Sequence, residues 1–113
     1  MATGISNDAA SAVTALHKAI EDNYEVLKQQ CVNATQLSQL KKLRSTALDA
    51  FWNIQAKAFA NDNMEIQSLT EQLNTANQKI SDSLVVLKDI VQFLDLATEA
   101  VGLAASLAKL AAA

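Results

Sequence analysis

His17 and Glu21 stand one helical turn apart, the spacing at which an imidazole and a carboxylate can grip one metal ion. A helical di-metal carboxylate centre draws on two histidines, each in a Glu-x-x-His pair, and this chain has one histidine in all. His17 also adjoins Leu16 and so reads as the rim of an apolar stripe; no metal and no cofactor is expected. Cys31 is the single cysteine, which rules out an intrachain disulfide and a cysteine-based zinc site. Nucleophilic catalysis would need a base in hydrogen-bond reach, and His17 lies several turns back along the same helix. Cys31 continues the apolar stripe of that helix, so a packed, inert thiol is expected. No catalytic residue and no small-molecule substrate emerge from this inventory, and the chain reads as a non-enzyme.

The basic cluster Lys41, Lys42 and Arg44 lies in QLKKLRS without interleaved aromatics and reads as a solvated face. The net charge is −3, from 9 basic and 12 acidic residues, too mild for a nucleic-acid partner. Asn33-Ala34-Thr35 matches the glycosylation tripeptide, which matters only in a secretory compartment. The opening MATGISNDAA has neither a basic nor an apolar region of a signal peptide, and a cytoplasmic location is expected, with non-classical secretion left open. The longest uncharged stretch, Gln29 to Leu40, is twelve mostly polar residues. A spanning helix needs about 20 apolar ones, so no transmembrane segment is expected. Trp52 is followed by Asn53 and Ile54, so the tryptophan-x-glycine turn of small helical-hairpin secretion substrates is not present.

Positioning falls to helices. The chain has no proline, two glycines and five aromatics, and alanine occurs 21 times in its 113 residues, so helix breakers and strand formers are both scarce. Ser6, Asn7 and Asp8 can cap a first helix over about 8–31, whose apolar face is Val13, Leu16, Ile20, Tyr24, Leu27 and Cys31; residues 1–6 are expected to be flexible. Asn33 and Gln36 have the form of a capping box for a second helix, about 34–60, with Leu37, Leu40, Leu43, Ala47, Phe51, Ile54 and Ala58 on one stripe and Leu48, Trp52 and Phe59 on another. Asn61, Asp62 and Asn63 interrupt the pattern, and Asp62 with Glu65 repeats the box for a third helix over about 63–110.

The third helix carries a heptad seam of Ile66, Leu69, Leu73, Ala76, Ile80, Ser83, Leu87, Val91 and Leu94. Opposite it runs a polar stripe at the same spacing: Glu71, Asn74, Gln78, Ser81, Val85, Lys88, Gln92, Asp95, Glu99, Gly102, Ser106 and Lys109. Such continuity predicts one long helix with coiled-coil packing. The fold expected is a single all-α domain over 1–113, a bundle of three long antiparallel helices. At 1.5 Å per residue these would be about 36, 40 and 70 Å long, so the third overhangs the others. The alternative is a compact four-helix up-down bundle with a break near 81–83.

The overhang is also the most apolar part of the chain and needs a cover. Leu84, Leu87, Ile90, Val91, Leu94, Val101, Leu103 and Leu107 are the expected interaction surface, with Gly102 and Ser106 offering a small-xxx-small approach. The function this implies is assembly or adaptation through helix packing, with a second copy or another helical protein as partner. The alternative is a membrane-active helical protein, a component of a pore-forming system, that uses segment 84–110.

Overall fold

A computed structural model of the chain describes residues 8–55, 64–85 and 90–110. All of them are helical except Cys31, Val32 and Asn33. The helices are α1 (Asp8–Gln30), α2 (Ala34–Gln55), α3 (Met64–Val85) and α4 (Ile90–Leu110). The expected capping signals at Ser6–Asn7 and at Asp62, the turn at 61–63 and the flexible 1–6 fall outside the described residues.

The link between α1 and α2 is three residues long because caps close both ends of it. Cys31 N–H donates to the Lys28 carbonyl at 3.3 Å, ending α1 with a tightened turn. The Asn33 side chain then accepts from Gln36 N–H at 2.8 Å, while the Gln36 side chain reaches back to accept from Val32 N–H at 2.8 Å. This is a capping box displaced by one residue on its return arm. Side-chain pairs between the two helices run in opposite numerical order, His17 with Phe51 and Glu21 with Arg44, so α1 and α2 are antiparallel.

Going round the bundle the order is α1, α2, α4, α3, each helix packing on the next, with α1 and α4 also in contact across the middle. No contact joins α2 to α3 among the described residues, so these two occupy opposite corners. A simple up-down bundle would set them side by side. The described residues form four helices of 21 to 23 residues in place of the three long ones expected. Two observations exclude a single straight helix from 64 to 110: α3 packs against α4, and the longest dimension of the molecule is 47 Å, against roughly 70 Å for such a helix. Nor does the break fall at 81–83, where α3 is still helical; Ser83 Oγ merely donates to the Ile80 carbonyl at 2.7 Å.

The core is one cluster. α1 supplies Ala9, Ala12, Val13, Leu16, Ile20, Tyr24 and Leu27, and α2 supplies Leu40, Leu43, Ala47, Ala50 and Ile54. The second stripe expected on α2 is not covered: Leu48 is half-buried, Trp52 is 63% exposed, and Phe59 lies outside the described residues. α3 buries Ile66, Thr70, Leu73, Ala76 and Ile80, with the Thr70 hydroxyl satisfied by the Ile66 carbonyl at 2.7 Å. α4 buries nine residues, more than any other helix, and four of them are alanines (Ala97, Ala100, Ala104, Ala108). Small side chains at these positions let the α4 backbone come close to its three neighbours, and Phe93 fills the remaining space with no exposed surface.

Candidate functional site

α4 contains only three charged residues, Asp95, Glu99 and Lys109, and its mean hydropathy over an 18-residue window is 1.4. It is thus long and apolar enough to cross a membrane by length and composition, although Asp95, Glu99 and Lys109 interrupt every uncharged run within it. Slightly under half of that window is buried inside the bundle, and the core helix of a soluble bundle reaches the same hydropathy.

Every described member of the polar stripe is exposed. On α3 these are Glu71, Asn74, Gln78, Ser81 and Val85, and on α4 Gln92, Asp95, Glu99, Gly102, Ser106 and Lys109. Opposite the stripe, buried residues stand at multiples of seven: Ile66, Leu73, Ile80, Leu94, Val101 and Ala108. Val91, expected in the seam, is 47% exposed, and Ile90 takes the covered place beside it. Gly102 and Ser106 lie on the exposed side, and a methyl group added at Gly102 would meet nothing within 4 Å. Close approach of α4 therefore uses its alanines rather than the Gly102/Ser106 pair.

Seven of the eight residues expected to form an interaction surface are described, and most of them face inward. Ile90, Leu94, Val101 and Leu107 are core residues, Leu84 and Leu103 are half-buried against the core, and Val91 faces solvent; Leu87 lies outside the described residues. Their cover in this structure is α1, α2 and α3 of the same chain, because the fold-back removes the overhang. Other large apolar side chains in the open are Val26, Val32, Trp52, Met64 and Val85.

The chemical candidates are engaged in structure. Both Glu21 oxygens accept from Arg44, Nε at 2.8 Å and Nη2 at 3.0 Å, a bidentate clamp between α1 and α2. The Arg44 guanidinium sits 4.3 Å over the Tyr24 ring. The Arg44 hydrogen bonds hold the Glu21 carboxyl below the usual carboxylate range, and the same bonds raise the Arg44 pKa. Arg44 is thus exposed but committed to Glu21, and Lys41 and Lys42 are the other exposed members of the basic cluster. The His17 ring stacks on Phe51 with centroids 4.6 Å apart, and its Nδ1 is buried with no hydrogen-bond partner. No group of three His, Cys, Asp or Glu side chains able to hold a metal occurs among the described residues.

Cys31 is partly buried, its thiol donating to the Leu27 carbonyl at 3.5 Å, and burial pushes its pKa up. Two polar contacts that sequence reasoning missed join the halves of the bundle. Asn77 Nδ2 on α3 donates to the Ala12 carbonyl at 3.0 Å, leaving Asn77 Oδ1 buried and unpaired, and Gln39 on α2 donates to the Thr98 hydroxyl on α4 at 3.2 Å. Asn77 sits beside Ala76 in the seam, and a polar residue there was the available signal. No protein-family model, curated protein or solved structure matches this chain.

Proposed function

We propose that this chain is a non-enzymatic assembly or adaptor protein that works by helix packing, with the α4 region as its working element. A second copy or another helical protein is the partner, and a reducing cytoplasm suits its lone thiol. The register of burial carries this reading. Buried residues at every seventh position of α3 and α4, faced by a polar stripe at the same spacing, are the pattern by which helices engage one another along a seam. The concentration of buried surface in α4 adds to it, since this one helix touches all three others.

A second reading, a membrane-active protein, draws on one observation: α4 is about 30 Å long and apolar enough to span a hydrocarbon core. Against it stand Glu99, next to the middle of the helix, and Asp95, a turn before it; an acidic side chain at a bilayer centre costs about 2.5–3.5 kcal/mol on insertion scales. Sedimentation of the purified chain, with and without zwitterionic vesicles, separates the two. Assembly is expected to appear as a concentration-dependent oligomer in the absence of lipid. A monomer that pellets with vesicles would transfer the function to the second reading.

A further inference from the structure

We infer that copies of this chain associate head to tail: the outer groove between α1 and α2, with Lys41, Leu48 and Trp52, seats on the outer groove between α3 and α4 of a second copy, with Glu71 and Glu99. This deepens the association reading above and rests on it.

The first groove offers an anchor that its own chain leaves uncovered. Lys41, Ser45, Leu48 and Trp52 recur every three or four residues and so share one side of α2. Together with Tyr24 and Arg44, the first three line a depression between the two helices. Leu48 is half-buried there, and one turn further Trp52 stands 63% exposed. A large indole beside an apolar floor is the kind of side chain that carries binding energy once a second surface covers it.

Charge selects the surface that covers it. α1 and α2 carry five acids and five bases, whereas α3 and α4 carry five acids and two bases. The acids of α1 beyond its first turn are already engaged: Glu21 with Arg44, Asp22 with Lys18 and Glu25 with Lys28. Asp49, the one acid of α2, lies seven residues past Lys42 and so on that residue's side of the helix, which leaves Lys41 as the exposed, unpaired charge of the first groove. The second groove is lined by Glu71, Gln72, Thr75, Ala76 and Lys79 of α3 and by Glu99 of α4. Its two acids and one lysine are exposed and make no ion pair among the described residues. Leu96 and Leu103 flank Glu99 at three and four residues, half-buried against the core, and give Trp52 and Leu48 an apolar strip to meet.

The grooves share no helix, and the order α1, α2, α4, α3 around the bundle sets them on opposite sides. Each copy joined in this way keeps one groove open. The contact is heterologous, and assembly continues past the dimer.

The test is sedimentation equilibrium of the full chain over roughly a hundredfold range of concentration, at low and high salt, with helix content followed by circular dichroism. The average mass of the wild type is expected to rise past that of a dimer, and to rise less at high salt. Lys41→Glu and Glu99→Lys, both at exposed positions, should each keep the helix content and raise the dissociation constant at least about fivefold. An equimolar mixture of the two should regain association, because the unaltered groove of each variant meets the unaltered groove of the other. Trp52→Ala should weaken association at both salt concentrations. If the single variants associate like the wild type, if their mixture stays as weak as its parts, or if assembly stops at a dimer, the paired grooves are overturned while the association reading stands. A wild type that is monomeric throughout removes both. A monomer that binds vesicles of anionic phospholipid through Lys41 and Trp52 would assign the first groove to lipid and overturn the proposal. Should either charge reversal lower helix content, Lys41→Ala and Glu99→Gln give the same comparison.

Discussion

The α1–α2 hairpin and the α4 helix are held in the same bundle by different physics. Between α1 and α2 lie a bidentate Glu21–Arg44 pair, the Arg44–Tyr24 stack and the His17–Phe51 stack, each of which fixes a direction and a register. α4 is held chiefly by the burial of nine residues, four of them alanines. Directional ties favour one partner at one position. Apolar burial stabilises more but discriminates less, so the hairpin fixes register while α4 contributes most to the core.

The sharpest way to break this contrast is to damage α4 packing. Phe93→Ala should cost about 3–5 kcal/mol, because a fully buried ring is replaced by a cavity. A small domain has about 5–15 kcal/mol in total, so a thermal midpoint lowered by about 10–30 °C is the expected outcome. A charge at Leu94 should be comparably damaging, whereas Val91→Asp, on the exposed side, should change stability by less than about 0.5 kcal/mol. Equal effects at Leu94 and Val91 in denaturant titrations would contradict the orientation of α4.

Gly102→Ala sharpens the comparison in the other direction. An exposed glycine within a helix destabilises it by roughly 0.5–1 kcal/mol relative to alanine, and the added methyl meets nothing. Higher stability with unchanged association is expected. Weakened association would mean that partners approach over Gly102 itself.

Glu21→Gln should have the smallest effect, since the clamp is partly solvent-screened. The Glu21 pKa is depressed in the fold, so its contribution is complete above the ordinary carboxylate pKa and fades as pH falls through the lowered value. The variant's deficit should therefore be present at neutral pH and vanish in acid. For Cys31 the raised pKa and the Leu27 contact predict slow labelling by a thiol reagent in the native state and fast labelling after unfolding.

Much of this architecture is legible in the sequence. The α1 face from Val13 to Leu27 is buried as its spacing implies, and the polar stripe of the last 50 residues is exposed wherever it is described. The fold-back between α3 and α4 is not legible, and the reason is that the polar stripe keeps one spacing through both. Periodicity says which side of a helix must be covered, but it is blind to the source of the cover. With no glycine or proline between Val85 and Ile90, no local residue contradicts a straight helix. Leu94, Val101 and Leu107 thus need burial in either arrangement, and only tertiary packing decides that α1, α2 and α3 provide it in the single chain. The cross-ties were hidden for a different reason: Arg44 and Glu21 are 23 residues apart, and their meeting depends on the register of the hairpin.

Trp52, the single tryptophan, is 63% exposed at the far end of α2, with the Phe51 ring set edge-on to it at 5.4 Å. An indole this exposed is expected to emit much as it would in water, so unfolding should change its colour very little. The emission wavelength is therefore expected to be a poor reporter of the bundle coming apart. Tyr24, buried beneath the Arg44 guanidinium, is the chromophore whose near-ultraviolet signal follows the core.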